Sequence, residues 1–309
     1  MLNDILPVLL LVGIYPAALP AQYADATQPV YDRVDAALAA PDARQLNLRD
    51  QHLFSLDNRV TQLTDLRFLN LMRNELERWD EDIFTLRRLE DLNLYGNKLR
   101  EIPAAIGQLK RLEVLDLAKN HLNTLPADVG RLRRLVYLHA SLNDIVRVDP
   151  AIGRCRALKV VDLHGNQLRE LPVEIGRLRN LQQLDLSYNQ FRVLPPALGE
   201  LRSLRELKLE FNFLRTLPPE LGDLRELRTL LLTGNELTSL PAALTQLENL
   251  ELLILADNQL TALPPDLSGW RSLKTLILRG NPLPQAEVAR VRAALPGCRV
   301  VGASPRTFD

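Results

Sequence analysis

The chain has 309 residues, 46% apolar, 25% charged and 5% aromatic, the composition of a folded protein with a large core rather than of a disordered or fibrous one. Lys and Arg total 38, as do Asp and Glu, so no global field draws the chain to nucleic acid or to an anionic membrane, and electrostatic recognition has to be local. The two cysteines, Cys155 and Cys298, have no second Cys or His at metal or redox spacing and read as small apolar core residues.

At the amino terminus, Ile5 to Ala26 carries no Lys or Arg and is strongly apolar up to Ala21. A run of about 17 residues, broken by Pro7, Pro16 and Pro20, is short for a spanning helix, so no stable membrane span is expected. Residues 1–26 read as a signal peptide or an apolar extension, with small-residue cleavage options after Ala21 or after Ala26, although Asp4 stands where a basic residue is usual. A signal peptide places the protein outside the cytoplasm, in the periplasm, at the cell surface or secreted; otherwise it is cytoplasmic. Residues 27–42 form an amino-terminal cap, in which Val34, Ala37 and Leu38 share one helical face ahead of Pro41.

From Ala43 to Leu283 the chain is periodic. Asparagine recurs at Asn74, Asn97, Asn120, Asn143, Asn166, Asn189, Asn212, Asn235, Asn258 and Asn281, an unbroken interval of 23. Each sits in one frame, for example Leu89, Leu92, Leu94, Asn97, Leu99, Ile102, Pro103, Ile106 and Leu109, or LxxLxLxxNxLxxLPxxIGxL. A degenerate copy starts at Ala43, with Gln51 in the asparagine place. Leu92 and Leu94 alternate with Asn93 and Tyr95, so a short strand buries one face and opens the other. One repeat cannot bury its apolar face alone. Eleven copies stacked as a continuous parallel sheet, roughly 50 Å at about 4.8 Å per strand, can do so. Pro103 and Gly107 predict loops and short helical turns on the return path. The asparagine amide can satisfy buried backbone groups where the chain leaves the strand.

These residues resemble the leucine-rich repeat family, in its 23-residue class shared by bacterial and Ras-group proteins. The resemblance implies an α/β solenoid: a curved horseshoe with a parallel sheet on the concave face, loops and short helical turns on the convex face, a structural asparagine ladder, and a bacterial origin. Residues 284–309 supply the other end, with a helix from about Gln285 to Leu295, a short edge strand from Arg299 to Val301, and a tail. Cys155 occupies the slot of Leu132 and Leu178, about six strands from Cys298 and far beyond the roughly 7 Å reach of a disulfide.

Function in such a scaffold is expected on the concave strand face, whose side chains are rigidly placed and free of core duty. A polar and aromatic patch gathers Tyr95, Asp116, Tyr137, His139, Asp162, His164, Asp185, Tyr188, Glu206, Glu210 and Phe211, with aromatic anchors suited to a protein contact. A second, apolar patch gathers Leu231, Leu252, Ile254 and Ile277 on adjacent strands, exposed aliphatics of the kind that meet a partner or a second copy. The strands project His139, His164 and the aspartates nearly parallel from an open surface, so no metal site, catalytic site or cofactor is expected. On the flank leading into the sheet runs a basic ladder, Arg87, Lys110, Arg133, Arg156, Arg179, Arg202, Arg225 and Arg271, interrupted by Glu248. Glu90, Glu113 and Glu226 are placed to neutralise it, and an anionic surface is the alternative. Two departures fall together: Ala140 stands in a leucine slot, with Leu142 placed to help close the gap, and Asp149 replaces a proline.

The sequence therefore reads as a non-catalytic protein-interaction scaffold that binds a protein, not nucleic acid, through its concave face. Its rivals are a self-associating cell-envelope protein and a repeat-based effector enzyme, for whose catalytic domain the residues after Leu283 are too few.

Overall fold

The computed structural model describes Asp25 and residues 27–302. Apart from Asp25, the apolar segment 1–26 and its cleavage options lie outside the described residues, as does the tail 303–309. Among the described residues no helix is long and apolar enough to cross a membrane.

The leucine alternation sets each strand at three residues. In Tyr137–His139, Leu138 points into the core with no exposed surface, and its two neighbours face the other way. Twelve such strands join in sequence order into one parallel sheet, from Gln45–Asn47 to Thr275–Ile277 and then Arg299–Val301. Register advances by exactly one repeat, so Asp116 lies beside His139, His139 beside Asp162, and Asp162 beside Asp185. At the amino-terminal edge Tyr31 bridges to Leu46, ahead of the helix Val34–Leu38. At the other edge the strand Arg299–Val301 follows the helix Gln285–Ala294.

The return path is built from 3-10 turns such as Ala104–Gln108 and Val173–Arg177, both of them preceded by a proline whose fixed φ suits an extended entry. Asp149, which looked like a relaxed position, is a cap: its Oδ1 accepts the Ala151 N–H at 2.8 Å, and Pro150 opens the turn. Successive turns stack at backbone contact. A Cβ on Gly153 would sit 2.5 Å from the Glu174 carbonyl oxygen, so this place needs glycine for close approach rather than for its φ.

Between the sheet and the turns lies one leucine core. Trp270 fills the slot that Leu247 holds one repeat earlier, is 1% exposed, and donates its indole N–H to the Leu244 carbonyl at 3.0 Å. Cys155 fills the equivalent slot and reaches the Val129 carbonyl at 3.2 Å. Both cysteines are free, and burial pushes each thiol up to about 11. Ala140 is fully buried, but Leu142 does not close its gap. Leu142 has φ +54° and is 49% exposed, because the residue before each ladder asparagine turns out of the core.

The ladder makes that turn obligatory. Asn166 Nδ2 donates to the carbonyls of Ala140 and Leu163, both at 3.0 Å, and its Oδ1 accepts the Ile145 N–H at 3.0 Å. One amide thus satisfies three buried backbone groups in two adjacent repeats. The same pattern recurs from Asn74 to Asn281. Gln51 lies outside it, exposed and bonded through Nε2 to the Asp32 carbonyl. Asn166→Ala is therefore expected to lower stability by about 3–9 kcal/mol, at roughly 1–3 kcal/mol for each orphaned group, while Gln51→Ala costs less than about 1 kcal/mol. Denaturant midpoints of the two variants check this contrast.

Candidate functional site: the concave face

The central row of the concave face begins with a structural duty. Asn70 and Asn93 each accept, through Oδ1, the N–H of the residue two places on, at 2.9 Å. Asp116, Asp162 and Asp185 do the same for Ala118, His164 and Ser187 at 3.0 Å. The aspartates thus cap the strand ends as asparagine does, while keeping a second oxygen and a charge free for other contacts.

His139 and Lys208 break this row, and between them lies a pocket of about 170 Å³ lined also by Gln183, Asp162, Asp185 and Glu206. The His139 side chain is only 8% exposed; Nδ1 stands 3.9 Å from Asp162 Oδ2, and Nε2 is buried without a hydrogen-bond partner. Lys208 Nζ lies 3.0 Å from Glu206 and 3.7 Å from Asp185. Burial pushes the Lys208 ammonium down, yet the Glu206 and Asp185 carboxylates hold it above its ordinary value. Burial likewise pushes Asp162 up, but the neighbouring His139, the hydrogen bond from the His164 N–H and the nearby Ser141 hold its carboxyl below the usual range. Asp116 has less help: burial raises it more than the Ala118 N–H and His139 lower it.

Beside the pocket runs an aromatic ridge. The His164 and Tyr188 rings meet edge to face at 5.0 Å, and Tyr188 stacks on Phe211 at 4.4 Å. Tyr188 and Phe211 are 49% and 45% exposed at φ +55° and +52°, a left-handed conformation that costs a non-glycine residue roughly 1–2 kcal/mol. Gly234 provides the floor beneath Phe211; a Cβ there would lie 2.7 Å from the Phe211 ring. Burial and the neighbouring Glu210 raise the Tyr188 hydroxyl, and burial with Asp185 raises Glu210.

The expected polar and aromatic patch thus resolves into two groups. His139, Asp162, Asp185 and Glu206 share the pocket, and His164, Tyr188 and Phe211 share the ridge. Tyr137 is half-buried on the His139 strand, and Tyr95, two strands away, belongs to neither group. Lys208, which lines the pocket, and the exposed Leu142 are not among the site residues that the sequence singles out. Lys208 had a signal, being the only lysine or arginine of the central row, whereas Leu142 was masked by its leucine identity.

Two expectations need correction. Leu231, Leu252, Ile254 and Ile277 are not exposed: none exceeds 5% exposure, and with Ala256 they form a second buried cluster against which Val301 packs. Strands about 4.8 Å apart bring same-row aliphatics side chain to side chain, so this patch closes on itself. The basic ladder, in turn, is not neutralised as expected. Among the described residues none of its eight cations has a carboxylate within 4.0 Å; Glu90 pairs with Arg67 at 3.5 Å, and Arg225 reaches the Gln246 carbonyl at 2.8 Å. Register explains this for Glu90, which stands one repeat on from the strand-entry cation Arg67 and pairs with it rather than with the ladder. Arg156, Arg177, Arg179 and Asn180 line a recess of about 310 Å³ on that flank.

A family profile described as a leucine-rich repeat region matches residues 81–153, and one described as a leucine rich repeat matches residues 156–214 and 225–283. No curated protein matches the chain significantly. Among solved structures, the chain is similar to a leucine-rich repeat protein of Leptospira interrogans, at 30% identity over 84% of either chain and a TM-score of 0.54. It is similar to a TDR receptor at 30% identity and a TM-score of 0.74, over 87% of this chain and 48% of that one. An internalin of Listeria monocytogenes, 20% identical over 80% of this chain and 78% of that one, shares the fold with a TM-score of 0.58.

One further charge of the concave face, Asp91, has no partner at its buried Oδ1, and burial together with the Asp116 charge pushes its carboxyl up to about 8. The folded state therefore holds a proton that the unfolded chain releases above about pH 4, and stability falls as pH rises from there to about 8. Asp91→Asn is expected to remove this loss, raising the melting temperature at pH 8 by about 5 °C or more while leaving it nearly unchanged at pH 4. Thermal melts across that range check the sign.

Proposed function

Because the chain belongs to the leucine-rich repeat family, we propose that it is a non-catalytic scaffold that holds a protein partner against the concave face of its sheet. The observation that carries this reading is the exposed Tyr188 and Phe211 stack, held in a costly backbone conformation beside a pocket of buried charge. Exposed aromatic rings held rigidly against one another are the side chains that most often anchor a protein contact. Self-association loses its motive, since the aliphatic cluster proposed for it is buried. The flank from Arg87 to Arg271, without acidic partners, favours an added contact with an anionic surface of the partner. Affinity capture from cell-envelope extract tests both contacts. Changing Tyr137, Tyr188 and Phe211 to Ala is expected to weaken capture at least about 30-fold, the scale of one hot spot. Changing Arg133, Arg156 and Arg179 to Glu is expected to weaken it mainly at low salt. Equal recovery by the aromatic variant would remove the concave face from consideration.

Export is part of the same proposal. It rests on the apolar run before Ala21, and of the two cleavage options only the one after Ala21 keeps Asp25, whose backbone is bonded to the Gln45 side chain. Amino-terminal sequencing of the mature protein is expected to begin at Gln22; an intact Met1 start would mark the segment as an uncleaved extension.

A further inference from the structure

The pocket between His139 and Lys208 has the chemistry of a receptor for positive charge. Asp116, Asp162, Asp185 and Glu206 bring four carboxylates to its surroundings against one cation, Lys208. Carboxylate oxygens and an imidazole nitrogen accept hydrogen bonds, so the lining is short of donors. Lys208 serves only one end, through Glu206 and Asp185. At the other end, His139 Nδ1 stands 3.9 Å from Asp162 Oδ2, beyond hydrogen-bond reach, and Nε2, which can accept a hydrogen bond, is buried without a partner. A buried acceptor without a donor is costly, and a ligand group that supplies the donor recovers that cost.

We propose that this pocket receives the ammonium group of a lysine side chain of the protein partner, which donates to His139 Nε2 and to the Asp162 carboxylate while its aliphatic stem lies along Val160. An anion is excluded by the carboxylates. A guanidinium fits less well, because its rigid planar fork needs paired, coplanar acceptors, whereas a compact ammonium turns its three donors to whatever acceptors surround it. The existing Lys208 ammonium between two carboxylates shows that the pocket already hosts one group of this type. Ionised Asp162 fits the same role at neutral pH. The inference rests on the concave-face scaffold reading and names the chemistry that the partner must present there.

The test uses the full chain and the probe peptide acetyl-Gly-Lys-Gly-amide, followed by NMR of the His139 ring; with four histidines in the chain, its resonances are assigned by comparison with His139→Gln. A saturable shift of the His139 ring is expected with the lysine peptide and none with its acetyl-lysine or norleucine counterparts. Asp162→Asn is expected to weaken binding about tenfold, the scale of one charge-assisted hydrogen bond. That variant keeps the Oδ1 acceptor for the His164 N–H, as Asn70 and Asn93 do in earlier repeats, so the fold is preserved. The proposal is overturned by an equal shift with the norleucine peptide, by tighter binding of the arginine peptide, by no saturable shift, or by Asp162→Asn binding within twofold of the parent. If the peptide fails while partner capture still depends on Tyr137, Tyr188 and Phe211, the scaffold reading stands and only the ammonium assignment falls.

Discussion

A buried carboxamide every 23 residues is the interaction on which the other features depend. Each ladder asparagine closes the hydrogen bonds of a chain turning away from its strand, in its own repeat and in the one before it. Without those bonds the turn would strand backbone groups in an apolar interior, at a cost that leucine burial on either side could not recover locally. The ladder therefore fixes the depth of the turn, and the turn forces the preceding residue into the left-handed region, at Gly96, Gly165 and Gly234 as much as at Leu142, Tyr188 and Phe211.

This constraint reaches the candidate binding surface directly. Glycine is the inexpensive choice before the asparagine, and where Tyr188 and Phe211 stand instead, the fold carries a penalty and gains two rigid exposed rings. The neighbouring row shows the same economy on the polar side. Asparagine and aspartate serve equally as strand-end caps, so a change from Asn93 to Asp116 to Asp162 alters the charge of the face without altering its backbone. Such a scaffold can accumulate charge on one face until burial begins to oppose it. The raised carboxyls of Asp91, Asp116 and Glu210 mark where that opposition begins, and Asp162, held down by His139, Ser141 and the His164 N–H around it, marks where it is answered.

Charge also explains why a chain of zero formal net charge has distinct faces. The basic row leading into the sheet and the carboxylates at its centre occupy different steps of the same repeat, so they are segregated by register rather than mixed. A partner with complementary segregation would be steered and oriented by these rows, with the aromatic ridge holding it once docked.

The period of 23, the leucine frame and the asparagine positions determined the solenoid, the parallel in-register sheet and the rows of side chains, because a strict repeat converts sequence spacing into spatial neighbourhood. The same logic placed Tyr188 and Phe211 in the concave-face patch and His139 among aspartates. Tertiary structure alone decided accessibility, since burial depends on what neighbouring rows do to one another. Leu252 and Ile254 looked exposed by alternation but are covered by their neighbours, whereas Leu142, a leucine beside a core gap, faces outward because the ladder turns it there. The unpartnered nitrogen of His139, the opposing ends of its pocket and the cap made by Asp149 likewise depend on ångström-scale distances between repeats, which residue order sets only through the packed whole.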